Sequence, residues 1–209
     1  MKKNPLTIFR NVPVTSDIIQ SCYNNLSAPD EKVRALEKDG QIIRLKRGLY
    51  VVNKEVSGRD IDICLCANHI YGPSYVSLQW ALRWYGLIPE QVFTVTSITT
   101  KRSRTFENKL GNFDYHQVNK DYYPIGIKLI EENAVCSQIA TPEKALCDTI
   151  IYDSYVPSNS TSGLYRYLEE DMRFDIDVLP DFNCHIIEQC AANGIKQNIF
   201  NNLLKIIKR

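Results

Sequence analysis

Three basic side chains stand within four positions in the N-terminal part of the chain, Arg44, Lys46 and Arg47. They surround the turn of a predicted β-hairpin. Long cationic side chains presented together can bind the phosphate groups of nucleic acid, and each contact releases condensed counterions. A solvated protein surface is the alternative interpretation of such a cluster. The element that precedes the hairpin favours nucleic-acid binding.

That element is a predicted helix. Ser27 is expected to begin it, with Pro29 in the first turn, and Gly40 is expected to end it because glycine accepts the left-handed conformation. Arg34 and Lys38, four residues apart, should project from the side opposite the apolar residues. They are candidates for a DNA groove, where they would contact either phosphate or a guanine edge.

A helix followed by a cationic hairpin is the order found in a winged helix-turn-helix, which places a helix in the DNA groove and the hairpin on the adjacent backbone. The strands of the hairpin are predicted over residues 41–45 and 49–52. The sequence therefore predicts the following DNA-binding residues: Arg34, Lys38, Arg44, Lys46 and Arg47.

Charge is distributed unevenly along the chain, although the net charge is only +1. Residues 1–59 carry 11 Lys and Arg against 6 Asp and Glu, whereas residues 60–209 carry 14 against 18. A basic head on an acidic body suits a polyanion at one end and a protein partner at the other. A chance fluctuation of a few charges is the alternative.

The composition is that of a soluble protein, and we expect a cytoplasmic location. No apolar run approaches the roughly 18 residues needed to span a bilayer, and no secretory signal is predicted at the N-terminus. The seven cysteines form no closely spaced pairing pattern, which fits a reducing compartment. Cys64, Cys66 and His69 are poorly spaced for zinc on one helix, so no metal and no cofactor are predicted.

Catalytic signatures are equally weak. The sequence contains no G-x-S-x-G, P-loop, G-x-G-x-x-G or H-E-x-x-H motif, which argues against an enzyme, and no catalytic residues are predicted. Two alternatives stay open. One is a nucleic-acid-processing enzyme that holds Mg²⁺ on Glu107, Asp114 and Glu143 and uses the N-terminal part only for docking. The other is a regulator whose middle region binds a small molecule.

The pattern of elements predicts an α+β fold in three parts. Residues 1–58 form the winged helix-turn-helix and end in a polar linker over 53–59. Residues 59–155 form a mixed α/β domain, with the clearest strand over 92–98. Residues 156–209 form a C-terminal helical segment that packs on the middle domain.

The middle region contains two further groups that could bind a partner. Lys101, Arg102 and Arg104 follow the clearest strand and would extend a DNA-binding track, meet an acidic partner or form an exposed loop. Trp80 and Trp84 share one face of a predicted helix, where core packing is the default and a protein-binding surface the alternative.

Three stretches resemble the AbiEi family of antitoxins and transcriptional regulators from abortive-infection toxin–antitoxin systems. They are KDGQIIRLKRGLYVV, GPSYVSLQWALRWYGLIPEQVFTVTS and IATPEKALCD. The resemblance covers most of residues 6–155. It implies an N-terminal winged helix that binds double-stranded operator DNA and represses its own operon, and a C-terminal region that counters a nucleotidyltransferase-like toxin. It also implies that the chain itself is not an enzyme. The oligomeric state is left open.

Overall fold

The computed structural model describes residues 4–132, 134–157 and 160–208. The chain is a mixed α+β protein with one small and one large β-sheet. The described α-helices are α1 Ser16–Ser21, α2 Pro29–Lys38, α3 Lys54–Ser57, α4 Ile63–Ile70, α5 Leu78–Trp84, α6 Pro142–Tyr152, α7 Thr161–Arg166, α8 Cys184–Asn193 and α9 Gln197–Ile207. The strands are β1 Val14–Thr15, β2 Ile42–Lys46, β3 Leu49–Val52, β4 Ser74–Val76, β5 Val95–Thr99, β6 Arg104–Asn108, β7 Gly111–Gln117, β8 Ile127–Glu132 and β9 Val135–Ala140.

The small sheet is antiparallel with strand order β1-β3-β2, and α1 and α2 pack beside it. These elements enclose a small core of eight buried residues: Leu6, Val14, Ile19, Val33, Leu36, Ile42, Tyr50 and Val52. Every residue of β3 is buried, and Leu49 and Val51 point away from the small core into a larger one. Both faces of the small sheet are therefore covered.

The large sheet has strand order β6-β7-β5-β4-β9-β8. The pairs β4–β9 and β5–β7 are parallel and the other pairs are antiparallel. The Tyr115 hydroxyl reaches α4, donating a hydrogen bond to the Ala67 carbonyl at 2.6 Å. The Tyr75 hydroxyl reaches α6 instead, donating to Asp148 at 3.1 Å. Because Tyr75 and Tyr115 occupy alternate faces in the strand register, helices cover the large sheet on both sides.

Several helix ends follow local sequence signals. Thr141 caps α6 through its side chain, and Gly40 follows α2 with φ of +71°. The expected start of α2 was wrong by one residue, because the N-cap is Ala28 and it makes no side-chain capping hydrogen bond. The predicted linker over 53–59 contains the short helix α3.

The predicted strand over 92–98 was shifted, since β5 begins only at Val95. Strands β6 and β7 form an antiparallel hairpin later in the middle region. In the C-terminal segment, α7 runs directly into a π-helical turn, Tyr167–Asp171, and a 3₁₀ helix, Ile176–Asp181, precedes α8. A further 3₁₀ helix covers Pro5–Phe9.

Candidate nucleic-acid interface

Helix α2 presents a charged face to solvent. Val33 and Leu36 are buried, while Arg34 and Lys38 are exposed on the opposite side. The Arg34 side chain keeps 77% of its surface accessible and lies 3.7 Å from the Asp30 carboxylate, which is itself well exposed. An exposed ion pair of this kind stabilises a helix by only about 0.3–0.5 kcal/mol. Arg34 can therefore exchange Asp30 for an anion that binds it more strongly.

The expectation that the three basic residues of the hairpin are presented together was wrong, and a β-bulge is the cause. Arg44 pairs with Tyr50, but the register then shifts and Lys46 pairs with Leu49. An extra residue in one strand of an antiparallel pair changes the side on which the next side chain emerges. Arg44 and Lys46 therefore lie on opposite faces of the hairpin.

Arg44 lies on the side of α2. Its guanidinium donates to the Glu37 carboxylate at 2.7 Å and lies 5.8 Å from the centre of the Tyr50 ring. The hydrogen bond with Glu37 is the main cause that raises the pKa of Arg44 above its ordinary value. Arg44 thus links α2 to the hairpin, and its charge is already partly satisfied within the protein.

Lys46 lies on the other side, against the large sheet. Its ammonium group donates to the Ile70 carbonyl, at the C-terminal end of α4, over 2.5 Å. Burial lowers the pKa of Lys46, and the neighbouring charges of Lys101 and Arg104 lower it further. The like charges of Lys101, in the β5–β6 loop, and of Arg104, in β6, therefore both act on Lys46. We call Lys46, Lys101 and Arg104 the basic ridge.

Aromatic rings support the basic ridge. The Lys101 ammonium lies 5.2 Å from the centre of the Tyr71 ring, and the Arg104 guanidinium lies 4.9 Å from that of Phe106. Tyr71 and Phe106 contact each other with ring centres 5.5 Å apart. Contacts between a cation and an aromatic face hold the charge in place without neutralising it.

The tip of the β6–β7 hairpin is joined to the small sheet. The Asn108 side-chain amide donates to the Leu45 carbonyl at 3.0 Å. Arg47 and Arg102 are exposed on segments that adjoin the ridge in sequence, one in the β2–β3 turn and one before β6. Among the predicted site residues, Lys46 of the N-terminal part thus meets Lys101 and Arg104 of the middle part where β2 contacts β6.

The two tryptophans of α5 differ in exposure. Trp80 is half-buried and packs against the large core. Trp84 keeps 38% of its surface accessible and contacts the edge of Tyr85, with ring centres 4.8 Å apart. Core packing accounts for Trp80, and the expectation that this pair binds a partner stays a prediction.

Sequence reasoning missed a buried polar network between α6 and the large sheet. Lys144 and Asp148 form an ion pair at 3.3 Å with side chains wholly inaccessible to solvent. Three hydroxyl groups also donate to the Asp148 carboxylate: Tyr75 at 3.1 Å, Ser77 at 2.6 Å and Tyr122 at 2.8 Å. The spacing of four residues within EKALCD could have indicated the ion pair. The hydroxyl donors come from distant parts of the chain and left no local signal.

Two other groups of residues could carry chemistry, the cysteines of α4 and the carboxylates of the enzyme alternative. Cys64 and Cys66 are buried, and burial raises the pKa of the Cys66 thiol to about 12. Glu107, Asp114 and Glu143, which the enzyme alternative required, are not brought together. Within residues 4–132, 134–157 and 160–208, no group of three or more His, Cys, Asp or Glu side chains is arranged to hold a metal ion.

Comparison with known protein families and with curated protein sequences finds no match to this chain. Among the helices of the described residues, none combines the length and the apolar character needed to cross a membrane.

Proposed function

We propose that this chain is a DNA-binding transcriptional repressor that uses α2 and the β2–β3 hairpin on double-stranded operator DNA. The order of β1, α1, α2, β2 and β3 supports the proposal, because a winged helix-turn-helix also places a helix directly before a β-hairpin. In this arrangement α2 enters the major groove and presents Arg34 and Lys38. The hairpin turn, with Arg47, follows the adjacent backbone.

The basic ridge is the observation that carries the proposal. Among the described residues, none of Lys46, Lys101 and Arg104 forms an ion pair with a carboxylate. Like charges held together destabilise a folded chain, and a polyanion relieves the repulsion. A row of phosphates would complement such a surface, because Lys101 and Arg104 are exposed and each of the three cations has an aromatic or backbone support.

In this proposal the protein is also the antitoxin of an abortive-infection system and counters a nucleotidyltransferase-like toxin during phage defence. The resemblance to AbiEi antitoxins supports this role, through the hairpin, the segment that contains α5 and the IATPEKALCD segment. The last of these contributes Lys144 and Asp148 to the buried network, so the resemblance falls partly on residues that stabilise the middle of the molecule.

The DNA-binding part is tested by fluorescence anisotropy with a labelled duplex from upstream of the protein's own gene. We expect Arg34→Ala, Lys38→Ala and Lys101→Ala each to weaken binding and to reduce the slope of log K against log salt by about 0.9 per lost phosphate contact. Lys128→Ala is the matched control, because Lys128 is exposed on β8 at the opposite edge of the large sheet from β6. An affinity that changes neither with salt concentration nor with these substitutions would contradict the proposal.

The antitoxin part is tested separately by growth of cells that express the neighbouring nucleotidyltransferase-like gene. We expect the full chain to restore growth. The variant Arg34→Ala/Lys38→Ala should lose repression of an operator–reporter fusion. Toxicity that persists with abundant, folded protein would reject the antitoxin role and leave the repressor role standing.

A further inference from the structure

Strand β8 lies at one end of the large sheet, and its outer edge is not paired. It is the last strand in the order β6-β7-β5-β4-β9-β8, and among the described residues it pairs only with β9. At the other end of the sheet, the tip of the β6–β7 hairpin is joined to the small sheet through Asn108. An unpaired edge presents backbone N–H and C=O groups that a further strand can bind. β8 is therefore the edge of the large sheet that is open to a further strand.

The pairing with β9 determines which backbone groups of β8 point outwards. The Thr141 N–H donates to the Gly126 carbonyl at 2.8 Å, and these two residues continue the register of the β8–β9 pair by one position. Hydrogen-bonded and non-hydrogen-bonded pairs alternate along an antiparallel ladder. The even-numbered residues of β8 therefore bond to β9. The N–H and C=O groups of Leu129 and Glu131 point away from β9, towards the open edge.

The side chains of β8 are also largely free of contacts within the chain. Ile130 is buried in the large core, whereas Leu129 points to the other side of the sheet and keeps 65% of its surface accessible. Lys128, Glu131 and Glu132 are exposed, and none of them forms an ion pair among the described residues. This edge thus offers an apolar side chain, charges of both signs and backbone groups to a partner.

The order of charges along β8 is complementary to itself. Charged side chains usually protect an edge strand from pairing with its own copy. When two copies of β8 pair antiparallel with Ile130 opposite Ile130, however, Lys128 of each copy lies opposite Glu132 of the other. These are non-hydrogen-bonded pairs, in which opposite side chains are closest. Leu129 and Glu131 then form the hydrogen-bonded pairs, so their outward N–H and C=O groups all find partners.

The charges select this register over the neighbouring one. With Leu129 opposite Leu129, each Lys128 would lie opposite Ile130 and the two ion pairs would be lost. We propose that two copies of this chain pair through β8, antiparallel and centred on Ile130, so that one continuous sheet crosses a two-fold axis. This inference does not rest on the proposed function, because the DNA-binding elements of each copy lie beside β6, at the other end of the sheet.

The pairing is short, so the dimer is weak. A contact over residues 128–132 of each copy buries less than the about 1,200 Å² of a stable interface, and we expect a dissociation constant of about 0.1–1 mM. Small-angle X-ray scattering of the full chain should therefore show an apparent mass that rises towards that of two copies as the concentration increases. The mass of a single copy at about 1 mM would overturn the proposal. At the nanomolar concentrations of the DNA titration the dimer is not populated, and Lys128→Ala remains a control for DNA contacts.

Charge reversal tests the register. Lys128→Glu brings two carboxylates together in both ion-pair positions, and Glu132→Lys brings two ammonium groups together there. Each variant alone should have a dissociation constant at least about tenfold higher than that of the unmodified chain. An equimolar mixture of Lys128→Glu and Glu132→Lys should dimerise again, because every pair in the mixed dimer joins a glutamate and a lysine. Undiminished dimerisation of either variant alone, or a mixture of folded variants that stays monomeric, would overturn the proposal.

A control and a second measurement locate the contact. Arg166→Glu and Glu170→Lys reverse exposed charges away from β8 and should leave the dimer unchanged. In amide hydrogen exchange, the N–H groups of Leu129 and Glu131 should exchange more slowly in concentrated than in dilute protein. The N–H group of Ile130, which is already bonded to β9, should exchange equally in both samples. Exchange at Leu129 and Glu131 that is unchanged in a dimeric sample would place the contact elsewhere and overturn the assignment.

Discussion

The ion pair between Lys144 and Asp148 should be among the most sensitive points of the fold. Both side chains are inaccessible to solvent, and the Asp148 carboxylate also accepts hydrogen bonds from three hydroxyl groups. Burial and the neighbouring carboxylate raise the pKa of Tyr75 well above its ordinary value, so its hydroxyl stays a donor. Removing one charge therefore leaves the other buried without its partner.

The magnitude follows from that burial. Loss of one member of a buried ion pair costs about 3–5 kcal/mol, so Lys144→Met and Asp148→Asn should each lower the free energy of unfolding by about that amount. For a chain of 209 residues, the melting temperature should fall by about 6–20 °C. The double variant Lys144→Met/Asp148→Asn removes both charges and keeps an acceptor for the hydroxyls. The double variant should therefore lose less free energy of unfolding than the two single variants lose together, by several kcal/mol.

Urea unfolding followed by circular dichroism measures each free energy of the cycle. Arg166 and Glu170 supply the matched control, because they have the same spacing of four residues but keep 76% and 63% of their side-chain surfaces accessible. Arg166→Met and Glu170→Gln should each change stability by less than about 0.5 kcal/mol. The reasoning fails if the losses from Lys144→Met and Asp148→Asn are as small as those of the control, or if they are simply additive.

Three further outcomes follow from the structure. Gly126→Ala should lower the free energy of unfolding in urea by about 1–3 kcal/mol more than Gly40→Ala. Both glycines have positive φ, but only at Gly126 would the new Cβ clash, since it would lie 2.8 Å from Lys144 Cβ. Equal losses of stability in the two variants would contradict this. Thiol labelling of the native protein should modify exposed Cys136 first and Cys66 only after unfolding. The reason is that burial shields the Cys66 thiol and raises its pKa to about 12. Labelling of Cys66 in the native protein as fast as that of Cys136 would contradict its burial. Burial lowers the pKa of His116, so the unfolded chain binds more protons and stability should fall as pH decreases from about 7.5 to about 5.5. His116→Gln should reduce the dependence of stability on pH in this range. An unchanged pH dependence would show that His116 is not its cause.

Local signals in the sequence predicted the C-terminal end of α2 and the β2–β3 hairpin. Gly40 after α2 and the β2–β3 turn both act through neighbouring residues, which a sequence displays directly. Strand β4 was missed because it has three residues and reads as part of a breaker region. Strand β9 was missed although its burial alternates along the first five residues.

The site was harder to predict, because its geometry depends on residues that are distant in sequence. The sequence placed Arg44 and Lys46 two residues apart, which in a regular strand means one shared face. The bulge reverses this, and Lys46 then joins Lys101, 55 positions away. No local pattern indicates a bulge between two basic residues. In the enzyme alternative Asp114 is a metal ligand, yet the feature that distinguishes it is a carboxylate oxygen without a hydrogen-bond partner among the described residues.

The bulge also fixes how the proposed DNA-binding elements are held. One face of the β2–β3 hairpin contributes Ile42, Tyr50 and Val52 to the small core, and the other contributes Leu45, Leu49 and Val51 to the large one. A hairpin buried on both faces cannot rotate against the large sheet without exposing apolar surface. In the proposed function, α2 and the β2–β3 hairpin would then meet DNA in a fixed relative orientation. Substitutions at Leu45 or Val51 should accordingly weaken DNA binding without removing any cation, because they would release the hairpin from β6.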